Sequence, residues 1–174
     1  MAGTTRPDGA TQMDYFFNFE KLGYLKGKRP EGCILCLLRD GSDEVESLLV
    51  HGTELSMVSL NLYPYNPGHL MVVPYRQVSE LEDLTNAESA ELMAFTQKAI
   101  RVIKAVSRPD AFNVGLNLGR SAGGSLAEHL HMHVVPRWSG DANFISVAAE
   151  TRVLPLSLDE VWETLVAAWD AGHR

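Results

Sequence analysis

Glu128-His129-Leu130-His131-Met132-His133-Val134-Val135-Pro136 decides how this chain is read. Half of the chain's six histidines fall within it, each separated from the next by one apolar residue. Such alternation has the period of a strand, because successive side chains point to opposite faces of a sheet. The pattern predicts a strand over residues 129–135, with His129, His131 and His133 on one face and Leu130, Met132 and Val134 in the core. Three imidazoles in file do nothing for packing. Imidazole serves as nucleophile, proton shuttle or metal ligand, and spacing alone leaves those roles open. One ion held by all three is disfavoured, since alternate residues on a strand lie about 6.6 Å apart.

The approach to this strand, Gly115-Leu116-Asn117-Leu118-Gly119-Arg120-Ser121-Ala122-Gly123-Gly124-Ser125, is rich in glycine and small polar residues. Such residues let backbone N–H groups come close to an anion. A histidine strand fed by an anion-cradling loop points to phosphate chemistry. His131 is the candidate nucleophile, because a neighbour on each side can orient it. Attack on phosphorus would give a phosphoramidate and divide one displacement into two. His129 and His133 would set the tautomer of His131, and Gly123, Gly124 and Ser125 would stabilise charge on the phosphate oxygens. Arg120, Arg137 and Lys26 are candidates to neutralise a phosphate chain.

The remaining composition sets bounds. With 174 residues and 45% apolar content, the chain is expected to form one domain with extended ends. A net charge of −7 disfavours nucleic acid as a partner. No apolar run reaches membrane-spanning length and the start is not signal-like, so a cytoplasmic protein is expected.

Taken in order, residues 1–14 read as a flexible N-terminus and 15–32 as an aromatic extension, with Asp14 placed to cap its first segment. Residues 46–50 and 54–60 read as strands, followed by the turn-rich Asn61-Leu62-Tyr63-Pro64-Tyr65-Asn66-Pro67-Gly68-His69 and a strand over Leu70–Val73. Asn61 and His69 are the binding candidates of that loop. Thr85-x-x-Glu88 is a capping box opening the principal helix, whose apolar stripe runs from Leu92 to Val106 and whose wet side takes Glu88, Glu91, Lys98, Arg101 and Lys104. Strands are expected over 112–116 and 143–148. Ser157 and Glu160 repeat the capping spacing ahead of a C-terminal helix, so residues 141–174 read as a strand-and-helix extension. The fold class is α+β, a mostly antiparallel sheet with one principal covering helix.

Cys33-Ile34-Leu35-Cys36 holds both cysteines. The spacing supplies half of a tetrahedral zinc site, or a pair of reduced thiols. His51, His69 and His129 are the candidates to complete a metal site.

With these residues in view, the chain resembles the histidine triad (HIT) superfamily. The signature His-apolar-His-apolar-His-apolar-apolar is matched by His129-Leu130-His131-Met132-His133-Val134-Val135, and the resemblance spans about residues 33–140. It implies an α+β meander, commonly dimeric, that binds nucleotides and attacks the α-phosphate with His131. Within the superfamily the chain is similar to the Fhit-like branch, where an asparagine placed as Asn61 is relative to His69 contacts nucleotide. Hydrolases of that branch carry two glutamines where this chain has Asn117 and Gly124-Ser125. Those three residues resemble the actinobacterial diadenosine tetraphosphate phosphorylases, which pass the adenylyl group to inorganic phosphate, giving ADP and ATP. The resemblance implies magnesium or manganese arriving with the polyphosphate. Zinc-bearing relatives use the two cysteines, the first triad histidine (here His129) and a further histidine, in whose place this chain has Gln77.

Overall fold

The computed structural model describes residues 14–16, 32–122, 126–141, 151–153 and 156–172. Its centre is a five-stranded antiparallel sheet of order β2-β3-β4-β6-β5, made of Leu49–Gly52, Ser56–Leu60, Leu70–Pro74, Ala111–Gly115 (β5) and Met132–Arg137 (β6). Helix α1 spans Ile34–Arg39, α2 Asn86–Ser107 and α3 Leu158–Asp170. The expected α+β meander is what forms.

Strands β3 and β4 are buried along their whole length, so each face of the sheet needs a cover. Alternation divides them. Val58, Leu60, Leu70 and Val72 join Leu92, Ala99, Val102 and Ile103 of α2 and Leu165 and Trp169 of α3 in the main core. Met57, Met71 and Val73 face the other way and pack with Leu35 of α1 in a second, smaller core. Met132 and Val134 belong to the main core as the histidine alternation requires, and Leu130 is buried as well.

Both capping boxes form. Thr85 and Ser157 each accept the N–H of the glutamate three residues on, and each glutamate accepts the N–H of its cap. Glu88 departs from its expected wet-side position. It is 5% exposed, because Arg76 folds over it with N–O distances of 2.8–2.9 Å. That ion pair holds the Glu88 carboxyl down to about 2, with help from Thr85.

The N-terminal expectation is revised at one point. Asp14, expected to cap a short segment, instead begins strand β1, Asp14–Phe16, parallel to β7 at Thr151–Val153. Aromatic Tyr15 and Phe16 favour extended backbone once a partner strand is available. The strand expected over 143–148 lies outside the described residues. Among the described residues, no helix is long and apolar enough to cross a membrane.

Candidate active site

The histidine strand is shorter than its sequence period suggests. Strand β6 begins at Met132, so of the three histidines only His133 lies within the ladder. The consequence is chemical. His131 Nδ1–H donates to the backbone carbonyl of His129 at 2.8 Å. Because a carbonyl only accepts, the proton of neutral His131 sits on Nδ1 and the Nε2 lone pair is free. The expectation that the His129 side chain orients His131 is therefore corrected: its main chain does so, and its imidazole turns elsewhere.

His133 is set by a second chain of hydrogen bonds. The Tyr65 N–H donates to His69 Nδ1 at 3.1 Å, which leaves Nε2–H of His69 to donate to His133 Nδ1 at 2.9 Å. Neutral His133 then carries its proton on Nε2. The Asn117 side-chain amide lies 3.3 Å from that nitrogen, and its oxygen is the atom able to accept the proton. The His131 and His133 rings meet edge-on with centroids 4.7 Å apart. A nucleophilic lone pair and an N–H donor thus stand side by side.

Burial keeps these rings neutral. His69 is fully buried, and burial together with the neighbouring His133 and His131 holds it down to about 3. Burial, then His131, lowers His133 to about 4, and burial lowers His131 against the opposing bond to His129.

The loop between β3 and β4 supplies the fixed wall. Asn61 N–H donates to the His69 carbonyl at 2.8 Å, and the Asn61 side chain accepts from Tyr63 N–H while lying 3.3 Å from His69 Nδ1. Gly68 adopts φ +81°, the left-handed region in which a side chain is strained. Asn66 is 4% exposed and donates to the Pro136 carbonyl at 2.8 Å and to Asp141 at 2.7 Å, locking the loop to β6. A cavity of about 340 Å³ opens beside His133, lined by Tyr65, Asn113, Gly115, Asn117 and Arg137 among others.

The structure thus brings together His131, His133, His69, Asn61 and Asn117. Gly123, Gly124, Ser125 and Lys26 lie outside the described residues. Arg137 is already committed to Asp141 at 2.6 Å and Asn113 at 2.7 Å, which leaves it poorly placed to neutralise phosphate. Arg120 is exposed in a 3-10 turn, Arg120–Ala122. The residues that sequence reasoning overlooked are Tyr65, Asn66 and Asp141. Asn-Pro-Gly ahead of His69 marks a rigid turn, but only the fold reveals that Asn66 reaches β6.

His129 belongs to a separate cluster. Its Nδ1 lies 3.3 Å from Cys33 Sγ and 3.4 Å from Cys36 Sγ, and its Nε2–H donates to the Pro74 carbonyl at 2.8 Å. His51 and His69 do not join it: His51 packs against Phe95 and Trp169. The three ligand atoms of Cys33, Cys36 and His129 lie within 4.8 Å of one another, a group able to hold a metal ion. With Nε2 engaged, Nδ1 presents its lone pair to the sulfurs, the arrangement usual for a ligating histidine. Burial raises the Cys33 thiol, but His129 and the Cys36 contacts bring it net below its ordinary value. Burial and the adjacent Cys33 push Cys36 up to about 11.

The HIT domain family matches residues 42–140. The AP-4-A phosphorylase of Mycobacterium tuberculosis (strain ATCC 25618 / H37Rv) is 70% identical over 128 residues, which cover 74% of this chain and 65% of that protein. This chain therefore spans just under two thirds of that relative's length. The asymmetrical bis(5'-nucleosyl)-tetraphosphatase of Schizosaccharomyces pombe is 38% identical over 97 residues, covering 56% of this chain and 53% of the relative. Among solved structures, a Zn-bound histidine triad family protein from Mycobacterium smegmatis superposes with a TM-score of 0.67 at 26% identity, covering 80% of this chain and 94% of that one.

Proposed function

The chain belongs to the HIT domain family, and on that premise we propose that it is a diadenosine tetraphosphate phosphorylase. His131 Nε2 attacks the α-phosphorus, the phosphoanhydride bond breaks, and ATP departs. The adenylyl-histidine is then attacked by inorganic phosphate, which forms ADP and returns His131. The carrying observation is the 2.8 Å bond from His131 Nδ1–H to the His129 carbonyl, which leaves Nε2 unprotonated and available as the nucleophile. As charge builds, His133 Nε2–H turns from the Asn117 side chain to donate to a phosphate oxygen. Asn61 holds the nucleotide side, with buried His69 behind it orienting His133, and Asn117, Gly123, Gly124 and Ser125 take the phosphate side.

Phosphate as the second acceptor is favoured by the 70% identity to a protein named AP-4-A phosphorylase. Water is the alternative acceptor and would make the protein an asymmetrical hydrolase, as the name of the fission-yeast relative describes that protein. A nucleotide-binding protein without turnover is a third reading, disfavoured by the intact His131. Magnesium or manganese accompanies the polyphosphate and screens its charge. The Cys33-Cys36-His129 group takes a structural zinc. Residues 33–140 form the functional unit, which operates in the cytoplasm as a homodimer. Support for the dimer comes from edge strand β5 and its continuation, where Val114 and Leu118 are 44% and 41% exposed.

The test is product analysis with purified protein, diadenosine tetraphosphate and magnesium, with and without phosphate. ADP and ATP formed only with phosphate, and lost in His131→Asn, is the expected result. AMP and ATP irrespective of phosphate would make it a hydrolase, and binding without products would overturn the catalytic reading.

A further inference from the structure

Gln77 is exposed, yet its amide oxygen meets the thiol of Cys36. Oε1 lies 3.4 Å from Cys36 Sγ, the same distance as from that sulfur to His129 Nδ1, while Cys33 Sγ is 3.3 Å from His129 Nδ1. A tetrahedral zinc with Zn–S of about 2.3 Å and Zn–N or Zn–O of about 2.0–2.2 Å has S···N and S···O edges of about 3.5–3.7 Å. The measured edges fall a few tenths of an ångström inside those values. An ion displacing the thiol protons needs only to spread them slightly.

The loop carrying Gln77 is held from both sides of this group. Arg39, on the helix that bears Cys36, donates to the Tyr75 carbonyl at 2.9 Å. Leu130 N–H, next to His129, donates to the Val78 carbonyl at 2.7 Å. Residues 75–78 are thus clamped between the two segments that supply the other donors, which fixes where the Gln77 side chain can reach. We infer that Gln77 Oε1 is the fourth ligand of a divalent metal held by Cys33, Cys36 and His129. This inference rests on reading that group as a zinc centre. A neutral amide oxygen is a weaker and harder donor to zinc than imidazole or thiolate. The fourth corner, open to solvent at Gln77, makes the ion exchangeable.

The experiment uses the full chain loaded with zinc, with Gln77→His and Gln77→Ala beside it. The rate of zinc transfer to a chromophoric chelator is measured, and cobalt(II) replaces zinc for absorption spectra. Wild type is expected to hold one zinc per chain. Gln77→His slows transfer at least tenfold, and Gln77→Ala speeds it several-fold. The cobalt d–d bands change in both variants while the thiolate charge-transfer bands persist. Circular dichroism of the apoproteins checks that the variants are folded. Failure of wild type to retain zinc overturns both the zinc reading and the inference. Stoichiometric zinc with transfer rates and cobalt bands indifferent to Gln77 overturns the inference alone. Neither result bears on phosphorolysis, which product analysis decides separately.

Discussion

Acidification should expose the cost of keeping the site histidines neutral. His69 is completely buried and held down to about 3, against an ordinary value of about 6.5. Its folded-state pKa is depressed, so between those values the unfolded chain binds the extra proton. Stability is therefore fully present above about pH 6.5 and falls as the pH drops toward 3. From pH 7 to pH 5 the loss through His69 alone is about 2 kcal/mol, most of it between pH 6 and pH 5. His133, held at about 4 and less deeply buried, adds up to a similar amount in the same window. Glu88, held at about 2, contributes stability that is lost only as the pH falls below the ordinary carboxylate range. It leaves the pH 5–7 interval to the histidines. Urea unfolding of wild type and His69→Gln at pH 7, 6 and 5 is the assay. The variant should start less stable but lose about 2 kcal/mol less on acidification. Equal losses in the two proteins would refute the claim that buried, neutral His69 carries the dependence.

Asn66→Ala should cost roughly 2–3 kcal/mol in urea unfolding, since it strips a donor from the buried Pro136 carbonyl and unties the His69 loop; a change below about 0.5 kcal/mol, the size of a surface substitution, would contradict that. Thr85→Ala and Ser157→Ala each remove a reciprocal cap and should each lower stability by about 1 kcal/mol. Leu70→Ala, at a position with 0% exposure between sheet and helices, should cost about 2–5 kcal/mol, and a smaller loss would mean that the core collapses into the space.

Periodicity carried much of this structure into the sequence, for a physical reason. A short apolar run bounded by turn residues marks a strand buried on both faces, and alternation or a helical stripe marks an element buried on one, which is why β4, the burial of Met132 and Val134, and α2 were legible. The capping boxes were legible because their partners lie three residues apart. Contacts over long separations left no such trace. Arg76 covering Glu88, Asn66 reaching Pro136 and Gln77 meeting Cys36 each depend on how loops, helices and strands are juxtaposed. His131 was identifiable as the central member of its triplet, whereas the atom orienting it was not. Residue type says nothing about a backbone carbonyl.

That carbonyl is available because of where the ladder stops. The β4–β6 register pairs Leu70 with Val134 and Val72 with Met132, and continuing it would set Leu130 opposite Pro74. Proline has no N–H to give, so pairing cannot extend there. The Pro74 carbonyl is left over and accepts the His129 ring at 2.8 Å. The chain before Met132 leaves the sheet, with Leu130 N–H bonding to Val78 in place of a strand partner. On the other edge β5 ends at Gly115, opposite His133, so the His129 carbonyl has no strand partner there and takes the Nδ1–H of His131, while its ring serves the cysteine pair. A strict strand through all three histidines would have lined the imidazoles along one face. The proline opposite the start of the triad and the end of β5 opposite its last member thus separate the three into a metal-facing ring, an oriented nucleophile and a proton-bearing neighbour.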